Sequence, residues 1–398
     1  MKIITRTIWI LSLVSLFADV ASEMLYPIMP VYLKSIGFSI LLIGVLEGIA
    51  EGVAGLSKGY FGKLSDAKGV RLPFIKFGYL FSSISKPLMA VLTFPLWIFG
   101  IRTIDRVGKG LRTGARDAML SDESTPQTKA TVFGFHRGMD TLGAVIGPVI
   151  ALVYLYFAPN KYKPLFYIAF IPSVISVLLV YLLREKEKVK KEKKTVSYNF
   201  FSFINYWKTA TPIYRKLVTA LLLFALFNSS DYFLLLRMKE AGLSDMSLIG
   251  TYIFYNIIYA AFSYPLGILA DRIGLKNIFI VGLMLFAIVY AGMAINNNIY
   301  VFFLLFFLYG IYAAATDGIS KAWITNIASK DDTATAIGTF TAFQSVSTMI
   351  ASALAGWIWL KFGSTAIFYI SSIVTIIVCF YLLLAIKNKN AYIERNSY

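Results

Sequence analysis

The stretch GKLSDAKGVRLP, Gly62 to Pro73, returns half a chain later as GILADRIGLKN, Gly267 to Asn277. Each copy follows a long apolar block and is followed by another. Each carries a glycine, an aspartate four residues on, and basic residues around a second glycine. A charged loop repeated at equivalent places implies that the chain is built from two similar halves. Membrane proteins that open alternately to either side are assembled from such repeats.

The composition agrees with that setting. The chain has 398 residues, of which 58% are hydrophobic and only 15% charged, with a mean hydropathy of +0.70. These values lie outside the range of soluble globular proteins. A membrane-crossing helix needs ~20 apolar residues, and blocks of that length recur from end to end. They do not alternate, which excludes a β-barrel. The fold class is an all-α membrane protein with twelve predicted segments. Their limits are Ile8–Lys34, Ser39–Phe61, Leu72–Leu92, Phe94–Ala115, Ala130–Phe157, Pro164–Leu183, Arg215–Leu236, Ser247–Ala270, Lys276–Ala294, Ile299–Trp323, Thr333–Leu360 and Thr365–Ile386. The first begins like a secretory signal, but its apolar run continues through MLYPIMPVYL to Lys34, as expected of a retained helix.

Lys and Arg concentrate in alternate loops, at Lys63, Lys68 and Arg71, at Arg112, Arg116 and Lys129, at Arg272 and Lys276, and at Lys330. That asymmetry predicts these loops and both termini to be cytoplasmic. It also accounts for the net charge of +17 without nucleic acid as a partner. A basic run, REKEKVKKEKKTVS, separates the halves. The expected organisation is an N-terminal six-helix bundle, 1–183, a basic cytoplasmic linker, 184–214, and a C-terminal bundle, 215–398. The linker's charge suits anionic lipid headgroups.

The duplicated loop resembles the signature of the major facilitator superfamily, G-x-L-(A/S)-D-(R/K)-x-G-(R/K)-(R/K). The first copy matches at Gly62, Leu64, Ser65, Asp66, Gly69 and Arg71, with Ala67 and Val70 in place of basic residues. The second matches at Gly267, Leu269, Ala270, Asp271, Arg272, Gly274 and Lys276. A further stretch, GAVIGPVIA, is similar to the G-x-x-x-G-P element of exporters in that family, carried here by Gly143, Gly147 and Pro148. The resemblance implies two pseudo-symmetric six-helix bundles, alternating access, and proton-coupled antiport that drives efflux. The loop aspartates are expected to act as latches that exist in one conformation only.

The fourth segment and its sequel, RTIDRVGKGLRTGARDAMLSDES, are dense with charge. Arg102, Asp105, Arg106 and Lys109 fall at i, i+3, i+4 and i+7, one face of a helix. Asp105 lies about ten residues, ~15 Å, from the outer-interface residues Pro95 and Trp97. A charged face at that depth avoids lipid, because each such residue costs ~2.5–3.5 kcal/mol to insert. Acids to meet it stand in the first segment (Asp19, Glu23), the second (Glu47, Glu51) and the fifth, where His136, Arg137 and Asp140 are grouped. Arg112, Arg116 and Asp117 are expected at the inner rim, solvated or paired with loops. Lys86 is expected either to snorkel outward or to pair with an acid.

The candidate proton-coupling and cavity residues are therefore Asp19, Glu23, Glu47, Glu51, Arg102, Asp105, Arg106, His136, Arg137 and Asp140. The C-terminal half adds Asn228, Asp231 and Gln344, among tyrosines expected mainly to pack.

There is one cysteine, Cys379, and one histidine, His136. No disulfide within the chain, cofactor or resident metal site is expected. No nucleotide-binding or catalytic motif is present, so an enzyme or ATP-driven pump is not expected. The expectation is a monomeric secondary transporter of the cytoplasmic (inner) membrane, whose partners are lipid, protons and a small-molecule or ion substrate. A divalent-metal exporter, an organic anion transporter and a non-transporting membrane sensor remain as alternatives.

Overall fold

The computed structural model describes residues 3–185 and 199–386. Most of the linker's basic run and the end of the chain lie outside the described residues, so the expectations about them are not addressed by it.

Among the described residues the structure is helical, with no strand. The first half contains α1 (Arg6–Leu25), α2 (Met29–Ser35), α3 (Ile40–Lys68), α4 (Leu72–Val91), α5 (Pro95–Asp122), α6 (Lys129–Phe157) and α7 (Lys163–Val180). A short turn, Phe200–Asn205, and α8 (Tyr206–Thr209) lead into the second half. There α9 (Pro212–Phe227), α10 (Asp231–Glu240), α11 (Asp245–Ile273), α12 (Leu275–Ile295), α13 (Ile299–Ile327), α14 (Thr333–Phe362) and α15 (Ser364–Ala385) follow. Nine helical stretches among the described residues are long and apolar enough to cross a membrane. The charged helices α3, α4 and α5 are not among them.

Local chemistry sets the ends. The hydroxyls of Thr5, Ser39, Thr211 and Ser244 accept bonds from the first free amides of α1, α3, α9 and α11, as N-caps do. Gly69 ends α3 at φ +67°, a left-handed conformation that glycine adopts without a Cβ clash.

Three expectations need correction. The first predicted segment is broken: α1 stops at Leu25 and α2 starts at Met29. Pro27 removes an amide from the ladder, and Pro30 is suited to the first turn of a new helix. The seventh is broken in the same place of its half, between Phe227 and Asp231, where Ser230 caps α10. The fourth does not end at Ala115 but continues to Asp122. Arg112, Arg116 and Asp117 are consequently inside a helix and buried, Asp117 completely.

Two seams join the halves, α3 against α14 and α6 against α11. Both depend on glycine. A methyl group at Gly62 would sit 2.4 Å from the Ala334 carbonyl oxygen, and one at Gly267 would sit 2.4 Å from that of Ala130. The repeated loop glycines thus let backbones of opposite halves touch. Within the first half, Gly143 and Gly147 do the same for α6 against α1, where added methyls would meet Leu16 and Val20 carbonyl oxygens at 2.5 and 2.6 Å. The helix runs continuously through Pro148.

Candidate functional site

The aspartates of the duplicated loops have equivalent partners. Asp66, at the end of α3, accepts bonds from the Thr335 amide and hydroxyl at 2.6 and 2.7 Å. Thr335 lies in the first turn of α14, in the other half. Asp271, at the end of α11, accepts from the Ala130 amide at 3.0 Å and from the Thr131 amide and hydroxyl at 2.7 and 2.6 Å. Those residues open α6, again in the other half. Each carboxylate therefore sits on the positive end of a helix across the seam. The partner of the latch is mainly a helix N-terminus, not only the neighbouring base expected from the sequence. Arg71 does pair with Asp66, at 2.5 Å, but Arg272 is exposed.

Above the latches lies a chain of buried and half-buried charges. Asp19 on α1 packs against α6 at Gly143, one turn from Asp140. Asp140 also accepts from Ser15 and pairs with Arg137, both at 2.5 Å. Arg137 then crosses to the second half, meeting Asp317 on α13 and the Tyr259 hydroxyl on α11, each at 2.6 Å. Tyr259 donates to Asp317, also at 2.6 Å. A second crossing is made by Asp117, which binds Arg116 at 2.9 Å and Lys321 of α13 at 3.0 Å. His136 is buried, with Nδ1 3.5 Å from the Ser12 hydroxyl. Among the described residues, direct hydrogen bonds and ion pairs between the halves all lie on the latch side, none beyond Arg137.

A third group sits away from the latches. Arg102 binds Glu47 with two bonds, 3.0 and 2.8 Å. Arg106 meets Glu51 at 3.1 Å. Asp105 lies 3.4 Å from Lys86 and 3.7 Å from Arg102. Lys86 therefore pairs with an acid and does not snorkel. Glu51, Lys86, Arg102, Asp105 and Arg106 border a pocket among α1, α3, α4 and α5, which also includes Glu23, Lys109 and Arg112.

The sequence candidates of the first half fall into two clusters: the relay through Asp19, His136, Arg137 and Asp140, and the pocket with Glu23, Glu51, Arg102, Asp105 and Arg106, to which Glu47 is joined through Arg102. Those of the second half stand apart. Asn228 donates to the Tyr312 hydroxyl at 3.1 Å, and Asp231 accepts from Tyr309 at 2.7 Å. Gln344 is half-buried on α14. Sequence reasoning missed Lys321, a lone base in an apolar helix, which was a usable signal. It missed Thr131 and Thr335 too; nothing in either residue marked it out. Tyr259, one of the tyrosines expected mainly to pack, is a hydrogen-bonding partner of the crossing arginine.

Comparisons agree with this architecture. The family model described as Major Facilitator Superfamily matches residues 11–257 and 238–397. An uncharacterized MFS-type transporter of Methanocaldococcus jannaschii is 31% identical over 380 residues, covering 94% of this chain and 93% of that protein. The human organic anion transporter MFSD10 has the same fold, with a TM-score of 0.80 at 16% identity over 95% of this chain and 99% of that one. So has the fucose:proton symporter of E. coli, with a TM-score of 0.78 at 11% identity over 97% and 100%. The duplicated latch, the glycine seams and these matches converge: the chain belongs to the major facilitator superfamily, and is a membrane transporter rather than an enzyme.

Proposed function

We propose that this protein is a secondary active transporter that works by alternating access, couples transport to protons, and exports a small molecule across the cytoplasmic membrane. In this reading all twelve predicted segments cross the bilayer, α3, α4 and α5 included. Residues 1–183 and 215–398 rock as two units joined by 184–214, with both termini cytoplasmic. The latched side is then the cytoplasmic side, and the state described is closed inward.

One observation carries the proton coupling: the connected series Asp140, Arg137, Asp317, with Asp19 packed beside it. Two neighbouring carboxyl groups repel when both are ionised, which favours a proton on one of them. Asp140 is also bound to Arg137, and Arg137 is one of the few groups holding the halves together. A proton gained or lost at the Asp19–Asp140 pair therefore changes how firmly Arg137 is shared between Asp140 and the opposite half. That differential interaction is what a two-state rocker needs to be driven by a proton. Glu23 and His136 are the titratable neighbours of the pair. Gly143 and Gly147 hold α6 close to α1, which keeps the two acids together. The similarity of Gly143, Gly147 and Pro148 to the exporter element supports the outward direction.

The test is proton movement in proteoliposomes loaded with a pH-sensitive dye, driven by a panel of organic anions, organic cations and divalent metals. A solute that moves protons with the wild type but not with Asp19→Asn or Asp140→Asn supports the assignment. Unchanged proton movement in both variants transfers coupling to Glu23, Glu47, Glu51, Asp105 or Asp231. A non-transporting sensor would move nothing. Of the alternative cargoes, an organic anion is favoured over a metal ion. MFSD10, which shares the fold, is described as an organic anion transporter. Among the described residues no three His, Cys, Asp or Glu side chains converge on a common point.

A further inference from the structure

The pocket among α1, α3, α4 and α5 contains more positive than negative charge that is unaccounted for. Its carboxylates are largely committed. Glu47 is engaged by Arg102, Glu51 by Arg106, and Asp105 by Lys86 and Arg102. Two cations of the lining remain with no carboxylate at ion-pairing distance among the described residues: Lys109 and Arg112, one turn apart on α5.

Their environments differ in a useful way. Arg112 is only 4% exposed. Its guanidinium donates to Ser82 at 2.7 Å and lies over the Tyr79 ring, 4.4 Å from the centroid. Those neighbours fix the plane of the fork but supply no negative charge. Lys109 is exposed to the pocket. Buried cations are normally matched by an anion, and a planar arginine fork is suited to a bidentate oxyanion. One acid of the lining opposes them: Glu23 on α1, which has no basic partner at bonding distance among the described residues, would compete for Lys109. The lining also includes the apolar side chains of Leu25, Met29 and Met89.

We infer that this pocket binds a small organic anion, with its carboxylate or sulfonate held by Lys109 and Arg112 and its apolar body against Leu25, Met29 and Met89. The inference deepens the transport reading and rests on it for the role of the bound solute, but binding itself requires no proton gradient.

The test is equilibrium binding to the purified protein at fixed pH, read by ligand-induced thermal stabilisation and by intrinsic fluorescence. The probes are octanoate, benzoate, toluenesulfonate and tetraphenylphosphonium. At least one of the three anions is expected to bind saturably, and the cation is not expected to compete. Lys109→Gln should weaken binding of that anion about ten-fold or more while the ligand-free melting temperature stays close to wild type, because Lys109 is exposed. Arg112→Lys, which keeps charge but loses the fork, should weaken it as well. Failure of all three anions to bind overturns the inference, as does unaltered affinity in Lys109→Gln. Anion binding that survives in Asp140→Asn, with proton movement lost there, supports both readings. Binding as inferred, but with wild-type proton movement in Asp19→Asn and Asp140→Asn, sinks the proton-coupling assignment alone.

Discussion

Replacing Asp66 with asparagine isolates the charge of one latch. The amide still offers an oxygen to the Thr335 amide and hydroxyl, so the shape of the contact is preserved. What is lost is the charge in both bonds and its attraction to the N-terminus of α14. A bond to a charged group contributes ~1.5–3 kcal/mol against ~0.5–1.5 for a neutral one. A charge at a helix terminus contributes a further ~0.3–2 kcal/mol. These contributions overlap, and about 2 kcal/mol is a fair total. The Arg71–Asp66 pair lies within one half and is not counted in this total. About 2 kcal/mol corresponds to a roughly 30-fold shift away from the latched state. The assay is maleimide labelling of a cysteine placed in the other seam, Ser263→Cys, since Ser263 is 1% exposed and lies opposite Gly134. The single native cysteine, Cys379, is buried and is replaced by alanine beforehand. With labelling slow relative to rocking, its rate follows the unlatched population, and Asp66→Asn should raise it by roughly that factor. Transport should fall while expression stays near normal. A folded Asp66→Asn variant that labels at the parental rate would refute the latch.

Further outcomes follow from the same contacts. Gly62→Ala and Gly267→Ala each push a methyl group against a backbone oxygen of the opposite half, so both should expose the Ser263→Cys probe and depress transport more than a surface Gly→Ala change. Asp105→Asn strands Lys86, which is 3% exposed, and should cost ~3–5 kcal/mol as a broken buried pair, read as a lowered melting temperature. Adding Lys86→Met should restore part of that loss; no restoration would mean Asp105 is held chiefly by other partners. Arg106→Ala should cost less than Asp105→Asn, because the Glu51 side chain it leaves behind is 58% exposed; an equal or larger drop in melting temperature would contradict this.

The sequence determined the class of fold and its two-fold internal repeat, because both are written in local properties. Apolar runs long enough to span a bilayer need no partner to be recognised, and a repeated loop is visible as repeated letters. It also identified the charged face of α5, since residues at i, i+3, i+4 and i+7 share a face whatever surrounds the helix. It did not determine where the broken helices α1–α2 and α9–α10 would pause. There the apolar pattern continues through the break, and the interruption is set by Pro27 and by the Ser230 cap acting on the backbone. Only the tertiary structure decided which charges meet. Asp66 and Thr335 are remote in the chain, as are Arg137 and Asp317. Their pairing depends on glycines that bring two halves into backbone contact, and a glycine in a sequence does not say what it lies against. The same holds for Lys109 and Arg112. Their spacing put them on one helix, but that the nearby acids are already engaged by Arg102, Arg106 and Lys86 is a property of the packed bundle alone.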